Sequence, residues 1–338
     1  MGLVAQDTQY RHLRRRSIHL LKKLCETHGI YPSSFIVPRR EIRKTPGTLT
    51  HGGSADVWEG RYKESSVALK EFRASTKAQF HVRQQSFCRE VAIWKYLDHP
   101  NITKCYGVSS QKSPLCLVSK WMVNGTLDAY LKVKRGINRL ELIRDIVAGL
   151  CYLHEMGLVH GDLKCLNILV DENGIACLAD FGLALFAHNE HTNFIAKTTI
   201  KGSTTRWAAP EILHTDASSI HPTMESDVYS FAWVMWEVFT GHIPFFEIQS
   251  AAGVITRVLD KKRPQRPLQA TGIGLSDEVW DIMEQCWRHE PDARPPMTSV
   301  QECLEHILKE QDPAVLKMPT VWPLVIEPSS TPDPKSPS

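Results

Sequence analysis

The feature that most constrains the fold is a change of hydrophobic period near Gly125. From Ile42 to Asn124 the apolar residues alternate over short runs, as in SSVALKEF and SPLCLVSKW, with one helical stretch between Gln85 and Leu97. After Gly125 the period lengthens: LELIRDIVAGLCYLHEMG sets Leu142, Ile146, Leu150 and Leu153 near one helical face. Two periods in succession predict an α+β chain, a small strand-rich part followed by a larger, mainly helical one. Within the helical part, DVYSFAWVMWEVF is apolar nearly all round yet far short of the ~20 residues that span a bilayer, so it predicts a buried central helix.

The ends differ from the middle. Residues 1–41 read as a basic extension carrying an amphipathic helix with Leu13, Ile18, Leu20, Leu21 and Leu24, ended near Gly29 and Pro32. Its Arg14, Arg15 and Arg16 could meet anionic lipid or serve as a nuclear signal, and the reading preferred here is a solvated helix face. Residues 313–338, ending SSTPDPKSPS, are poor in apolar residues and predict a disordered tail. Between them, residues 42–124 form the expected strand-rich lobe and residues 125–312 the helical lobe.

Charge and cysteine usage exclude some classes. Forty basic residues against 37 acidic ones leave +3, too balanced for a nucleic-acid binder. Nine cysteines without CxxC pairs fit reduced thiols and a cytoplasmic location. The start MGLVAQ has Gln6 where a myristoylation signal needs Ser or Thr, and neither secretory leader nor transmembrane segment is expected.

The chemistry concentrates in HGDLKCLNILV, residues 160–170. Asp162 there can accept a proton or orient a hydroxyl, Lys164 can steady developing negative charge, and Asn167 can offer an oxygen to a metal. A polar turn joining helix to strand would explain the same letters, so the neighbouring segments decide. DENGIACLADFGLA delivers Asp180 soon after Asn167, and two oxygen ligands suit Mg²⁺, which shares its shell with substrate phosphates. VALK places Lys70 on a strand, with Glu90 in FCREVAIWKYL as its candidate anchor. TLTHGGSADVWEG bares backbone amides at Gly52 and Gly53 that could fold over phosphates, although a plain hairpin explains it almost as well.

In this order the segments resemble the signature set of eukaryotic protein kinases: glycine-rich loop, strand lysine, helix glutamate, catalytic loop, DFG and APE. The likeness runs from about Ile42 to Leu308. GSTTRWAAPE supplies Ala209, Pro210 and Glu211, the buried helix supplies Asp227, and WRHEPDARPPM supplies Arg294, the family's usual partner for Glu211. In detail the chain is similar to the tyrosine-kinase-like group of Ser/Thr kinases, with a fungal character in GGSADVWEG and REVAIWKYLDHPNI.

The resemblance implies a bilobal protein kinase fold and phosphate transfer from ATP with Mg²⁺ to protein substrates, in intracellular signalling. It assigns Asp162 as catalytic base, Lys164 to the γ-phosphate, Asn167 and Asp180 to Mg²⁺, and Lys70 with Glu90 to the α- and β-phosphates. Gly52, Gly53, Val57, Ala68, Ser119 as a small gatekeeper and Met122 at the hinge complete the nucleotide site. Lys164 with Thr204 resembles the pattern of kinases that act on serine or threonine.

Departures from the pattern carry expectations of their own. Thr50 and Ala55 stand at the first and third glycine positions of the loop. Gly161 replaces the arginine that in many kinases pairs with a phosphorylated activation loop, so a phosphate on Thr198 or Thr199 loses its usual partner. Activity without activation-loop phosphorylation is the expectation. An ATP-binding pseudokinase scaffold and a small-molecule phosphotransferase of the aminoglycoside or choline kinase type are the alternatives. The first would be favoured by loss of Lys70, Asp162, Asn167 or Asp180, and all four are present. Oligomeric state is not legible.

Overall fold

The computed structural model describes residues 13, 16–25, 27–51, 55–72, 87–88, 90–109, 116–181, 185–186, 204–213, 221–312 and 316–326. They gather into two compact units. The first draws on Met1–Thr126, Asp145–Asp162 and Asn167–His188, the second on Leu127–Arg144, Leu163–Leu166 and Asn189–Ser338. The grouping does not follow a single cut along the chain, because the segments after Asn167 are tied by backbone bonds to the first unit: Thr103 N–H donates to the Leu178 carbonyl and Leu178 N–H to that of Asn101, both at 2.9 Å.

The first unit is built on a five-stranded antiparallel sheet ordered β1-β2-β3-β5-β4. Its strands are β1 (Ile42–His51), β2 (Ala55–Tyr62), β3 (Ser65–Phe72), β4 (Cys105–Ser109) and β5 (Cys116–Lys120). Alternation along SSVALKEF does what the sequence predicts: Val67 and Leu69 point into a core shared with Val37, Ile42, Cys116 and Val118, while Ala68 and Lys70 point to the opposite face. Register then aligns that opposite face. Val57 pairs with Lys70 and Lys70 with Leu117, one row of side chains across three strands. Ala68 pairs with Ser119 in the next row.

Two further pieces complete this unit. Residues 90–94 are helical and buried from Glu90 through Trp94. The short hairpin of β6 (Ile168–Val170) and β7 (Ala176–Leu178) closes through the DENG turn, whose Asp171 Oδ1 accepts the Asn173 and Ile175 N–H groups at 2.9 and 3.0 Å.

At the N-terminal end, residues 16–25 are helical, and the helix stops as predicted near Gly29, where φ is +62°. Of the basic run, Arg16 is exposed, and Arg14 and Arg15 lie outside the described residues; Lys22 is buried together with Ile18 and Cys25, and Leu20 and Leu24 face outward.

The second unit centres on the helix Met224–Thr240, buried along almost its whole length. It opens with a capping box between Thr223 and Ser226 and stops at Gly241, whose φ of +77° a glycine adopts without strain. Trp233 at its middle packs on Trp287 and Phe245 with ring centroids 5.2 and 4.9 Å apart. This is the buried central helix that DVYSFAWVMWEVF predicted. Helices Ala251–Leu259, Asp277–Cys286 and Met297–Glu310 belong to the same unit.

Residues 316–326, within the stretch expected as a disordered tail, hold definite contacts to this unit. Leu324 N–H donates to the Thr240 carbonyl at 2.9 Å, and Lys317 N–H to that of Gly272 at 2.7 Å. Trp322 lies under the buried Arg139 guanidinium, 4.7 Å from the ring centroid. Arg139 has no carboxylate beside it among the described residues, and burial draws its pKa down to about 10. The aromatic face, the Val238 carbonyl at 3.0 Å and the Arg135 carbonyl at 3.1 Å are what this cation meets.

Candidate active site

In the first unit, the register that aligns the sheet brings Val57, Ala68, Lys70 and Ser119 to one face. Lys70 is the charged member. Its Nζ lies 2.8 Å from Asp180 Oδ1 and 3.8 Å from Glu90 Oε1. Burial opposes the ammonium form, but the fields of Glu90 and Asp180, helped by Asp162, outweigh it and hold the Lys70 pKa above the ordinary lysine value. The partner inferred from sequence is therefore present, and a second carboxylate sits closer.

The hairpin β6–β7 explains how Asn167 and Asp180 come together. Ile168 pairs with Leu178, so Asn167 and Ala179 end up side by side at its open end, and Ala179 N–H donates to the Asn167 carbonyl at 2.9 Å. Asn167 Nδ2 donates to the Asp162 carbonyl at 2.7 Å and to Asp162 Oδ2 at 2.8 Å, which leaves Oδ1 as the remaining acceptor of that side chain. Asp180 has φ of +60°, rare for a residue with a Cβ, and its carboxylate stays nearly half exposed. No group of three or more His, Cys, Asp or Glu that could hold a metal by itself occurs among the described residues. Two hard oxygen donors that leave most of a coordination shell to waters and phosphates fit magnesium better than a closed protein site.

His160 is the residue that sequence reasoning left without a role. It is fully buried, and its Nδ1 accepts the Asp162 N–H at 3.3 Å. That leaves Nε2–H to donate to the Ala179 carbonyl at 3.1 Å. One imidazole thus bridges the backbone of Asp162 to the residue before Asp180. Its ring packs against Phe181 at 5.5 Å, and Phe181 in turn against Trp94 at 5.4 Å, which joins the helix bearing Glu90 to the same column. A histidine two residues before an aspartate was the available signal. Gly161 between them has φ of +78°, which a glycine reaches freely and other residues adopt only with strain.

In the second unit, Lys164 Nζ lies 3.4 Å from Thr204 Oγ1, the pair expected from sequence. Glu237 was missed, since MWEVF reads as part of an apolar helix. It is buried, its Oε2 accepts the Cys165 N–H at 3.0 Å and the Trp207 Nε1–H at 2.8 Å, and burial raises its pKa to about 7 despite both donors. Arg294 grips Glu211 with two parallel bonds of 2.7 and 2.8 Å, as the resemblance implied.

Other predicted residues are placed as follows. Met122 is buried and its carbonyl accepts the Gly125 N–H at 3.0 Å. Thr50 pairs with Val57 near the end of β1, and Ala55 is buried at the start of β2. Gly52, Gly53, Thr198 and Thr199 lie outside the described residues.

Comparison with known proteins settles the family. A model described as protein tyrosine and serine/threonine kinase matches residues 44–304. The chain belongs to that kinase family. Its α+β architecture, with a five-stranded antiparallel sheet in one part and helices dominating the other, is the bilobal kinase fold. Serine/threonine-protein kinase STY17 of Arabidopsis thaliana is 29% identical over 268 residues, covering 77% of this chain and 43% of its own. A probable serine/threonine-protein kinase of Dictyostelium discoideum is 33% identical over 259 residues, 75% of this chain and 15% of that protein. Ephrin type-B receptor 1 of Gallus gallus is 30% identical over 277 residues, 79% and 27% respectively. The kinase thus spans less than half the length of these relatives.

Proposed function

We propose that this protein is a serine/threonine kinase that transfers the γ-phosphate of MgATP to Ser and Thr hydroxyls of protein substrates. The observation that carries the choice of serine and threonine is the approach of Lys164 to Thr204 at 3.4 Å. In this reading Asp162 accepts the hydroxyl proton, with its carboxylate held by Asn167. Lys70 stays an ammonium in any ordinary buffer and meets the α- and β-phosphates, steadied by Glu90. Asn167 and Asp180 hold Mg²⁺, which when bound neutralises phosphate charge. Gly52, Gly53, Val57, Ala68, Ser119 and Met122 line the nucleotide, an assignment that the shared face of Val57, Ala68, Lys70 and Ser119 supports. Positioning and charge compensation supply most of the rate in such a transfer.

The finer assignments are part of the same proposal. We place the chain in the tyrosine-kinase-like group with fungal character, in the cytoplasm and in intracellular signalling. No helix among the described residues is long and apolar enough to cross a membrane. With Gly161 in place of arginine, activity does not require a phosphate on Thr198 or Thr199.

The test is phosphate transfer from labelled ATP with Mg²⁺ to generic protein substrates, comparing wild type with Asp162→Ala, followed by acid hydrolysis. Transfer to serine and threonine that falls by a factor of about 10²–10⁴ in the variant supports the reading. Phosphotyrosine as the main product would refute the specificity. ATP binding without transfer would instead establish the pseudokinase scaffold. Activity lost on phosphatase treatment, and copied by Thr198→Ala or Thr199→Ala, would remove the claim of independence.

A further inference from the structure

The N-terminal helix is sided in a way that folding does not explain. At 100° per residue, Ile18, Lys22 and Cys25 fall within about 60° of one another. They are the packed face, 3%, 1% and 2% exposed. Leu20 and Leu24 fall within about 40° of one another on the opposite side, and Leu13, ahead of the described run, is exposed as well. Leu13, Leu20 and Leu24 are 55%, 58% and 48% exposed. A helix already seated on one face has no need of a second apolar stripe, and exposing each leucine forgoes on the order of 1–2 kcal/mol of burial.

The charge around the stripe narrows what would cover it. Arg16 and Lys23 are exposed and flank one edge of the leucines. From Thr8 to Cys25 the sequence holds six Lys and Arg residues and no Asp or Glu. A second copy of the chain would bring like charges face to face. The occupant must therefore be apolar at its centre and negative at its edge. A row of exposed leucines beside cations suits a surface that needs no shape complementarity.

We propose that the outward leucine face of helix 16–25 docks on an anionic phospholipid surface, lying in the interface plane. Arg16 and Lys23 meet the headgroups, and Leu20 and Leu24 enter the acyl boundary. The outward leucines give the anionic-lipid alternative of the sequence reading an apolar footing that a solvated face does not need. The proposal is independent of the kinase reading and of catalysis.

The experiment is co-sedimentation of the full chain with vesicles of phosphatidylcholine alone and of phosphatidylcholine mixed equally with phosphatidylserine. Partition to the anionic vesicles is expected, weakening with salt, and falling about fivefold for each of Arg16→Gln and Lys23→Gln. Leu20→Gln and Leu24→Gln should each lower it on the order of tenfold. These residues are exposed, so an unchanged melting temperature and unchanged phosphate transfer serve as controls for folding. Three results would overturn the proposal. One is absence of pelleting, another is equal pelleting with neutral vesicles. The third is a dimer in solution that Leu20→Gln abolishes without any vesicle binding.

Discussion

Glu237 makes the pH dependence of stability a direct test of the packing around it. Burial raises its pKa from 4.5 to about 7 in the folded chain, while the unfolded chain retains the ordinary value. Between these two values the folded state binds a proton that the unfolded state has lost, so stability falls as pH rises from about 4.5 to about 7 and is level above that. The loss amounts to about 3 kcal/mol, at 1.36 kcal/mol per pKa unit. Glu237→Gln keeps an oxygen to accept the Cys165 and Trp207 donors and removes the titration. The variant should therefore be more stable than wild type by about 3 kcal/mol near pH 8, with the difference shrinking toward zero near pH 4.5. Denaturant unfolding at a series of pH values, followed by tryptophan fluorescence, measures this, and the difference between the two proteins cancels every other titrating group. A difference that stays constant with pH, or a variant less stable at pH 8, would refute the reasoning.

Three further outcomes are expected. Thr204→Val removes one partner of the Lys164 ammonium and should lower kcat on the order of tenfold with the melting temperature little changed, read by steady-state kinetics beside calorimetry. Arg294→Lys cannot reproduce the two-pronged grip on Glu211 together with the bonds to the Glu225, Arg288 and His289 carbonyls, so it should destabilise by about 2–3 kcal/mol in chemical denaturation. Trp322→Leu keeps an apolar cover over Arg139 but loses the ring, and a cost of about 1–2 kcal/mol together with faster proteolysis near residue 322 is the expected result.

Local pattern alone determined the order of strands and helices, because alternation in SSVALKEF and the unbroken apolar run of DVYSFAWVMWEVF leave little freedom about which face is buried. The chemistry-bearing residues were legible for the same reason: Asp162, Asn167 and Asp180 lie within nineteen positions joined by a hairpin whose turn residues announce it. Glu90 could be named as the candidate anchor of Lys70 from the need of a strand cation for a carboxylate, but their 3.8 Å approach is a fact of the fold. Other features had no sequence signal because they depend on groups distant along the chain. Glu237 reads as a break in an apolar helix until Cys165 and Trp207 arrive at its carboxylate. The seat of Trp322 under Arg139 is of the same kind, while the bridge from His160 to Ala179 was marked in sequence only by a histidine two residues before Asp162. Helix 16–25 shows the limit most plainly: its periodicity fixes which residues share a face, but only packing decides which face is inside, and here that choice buries Lys22 and turns the leucines out.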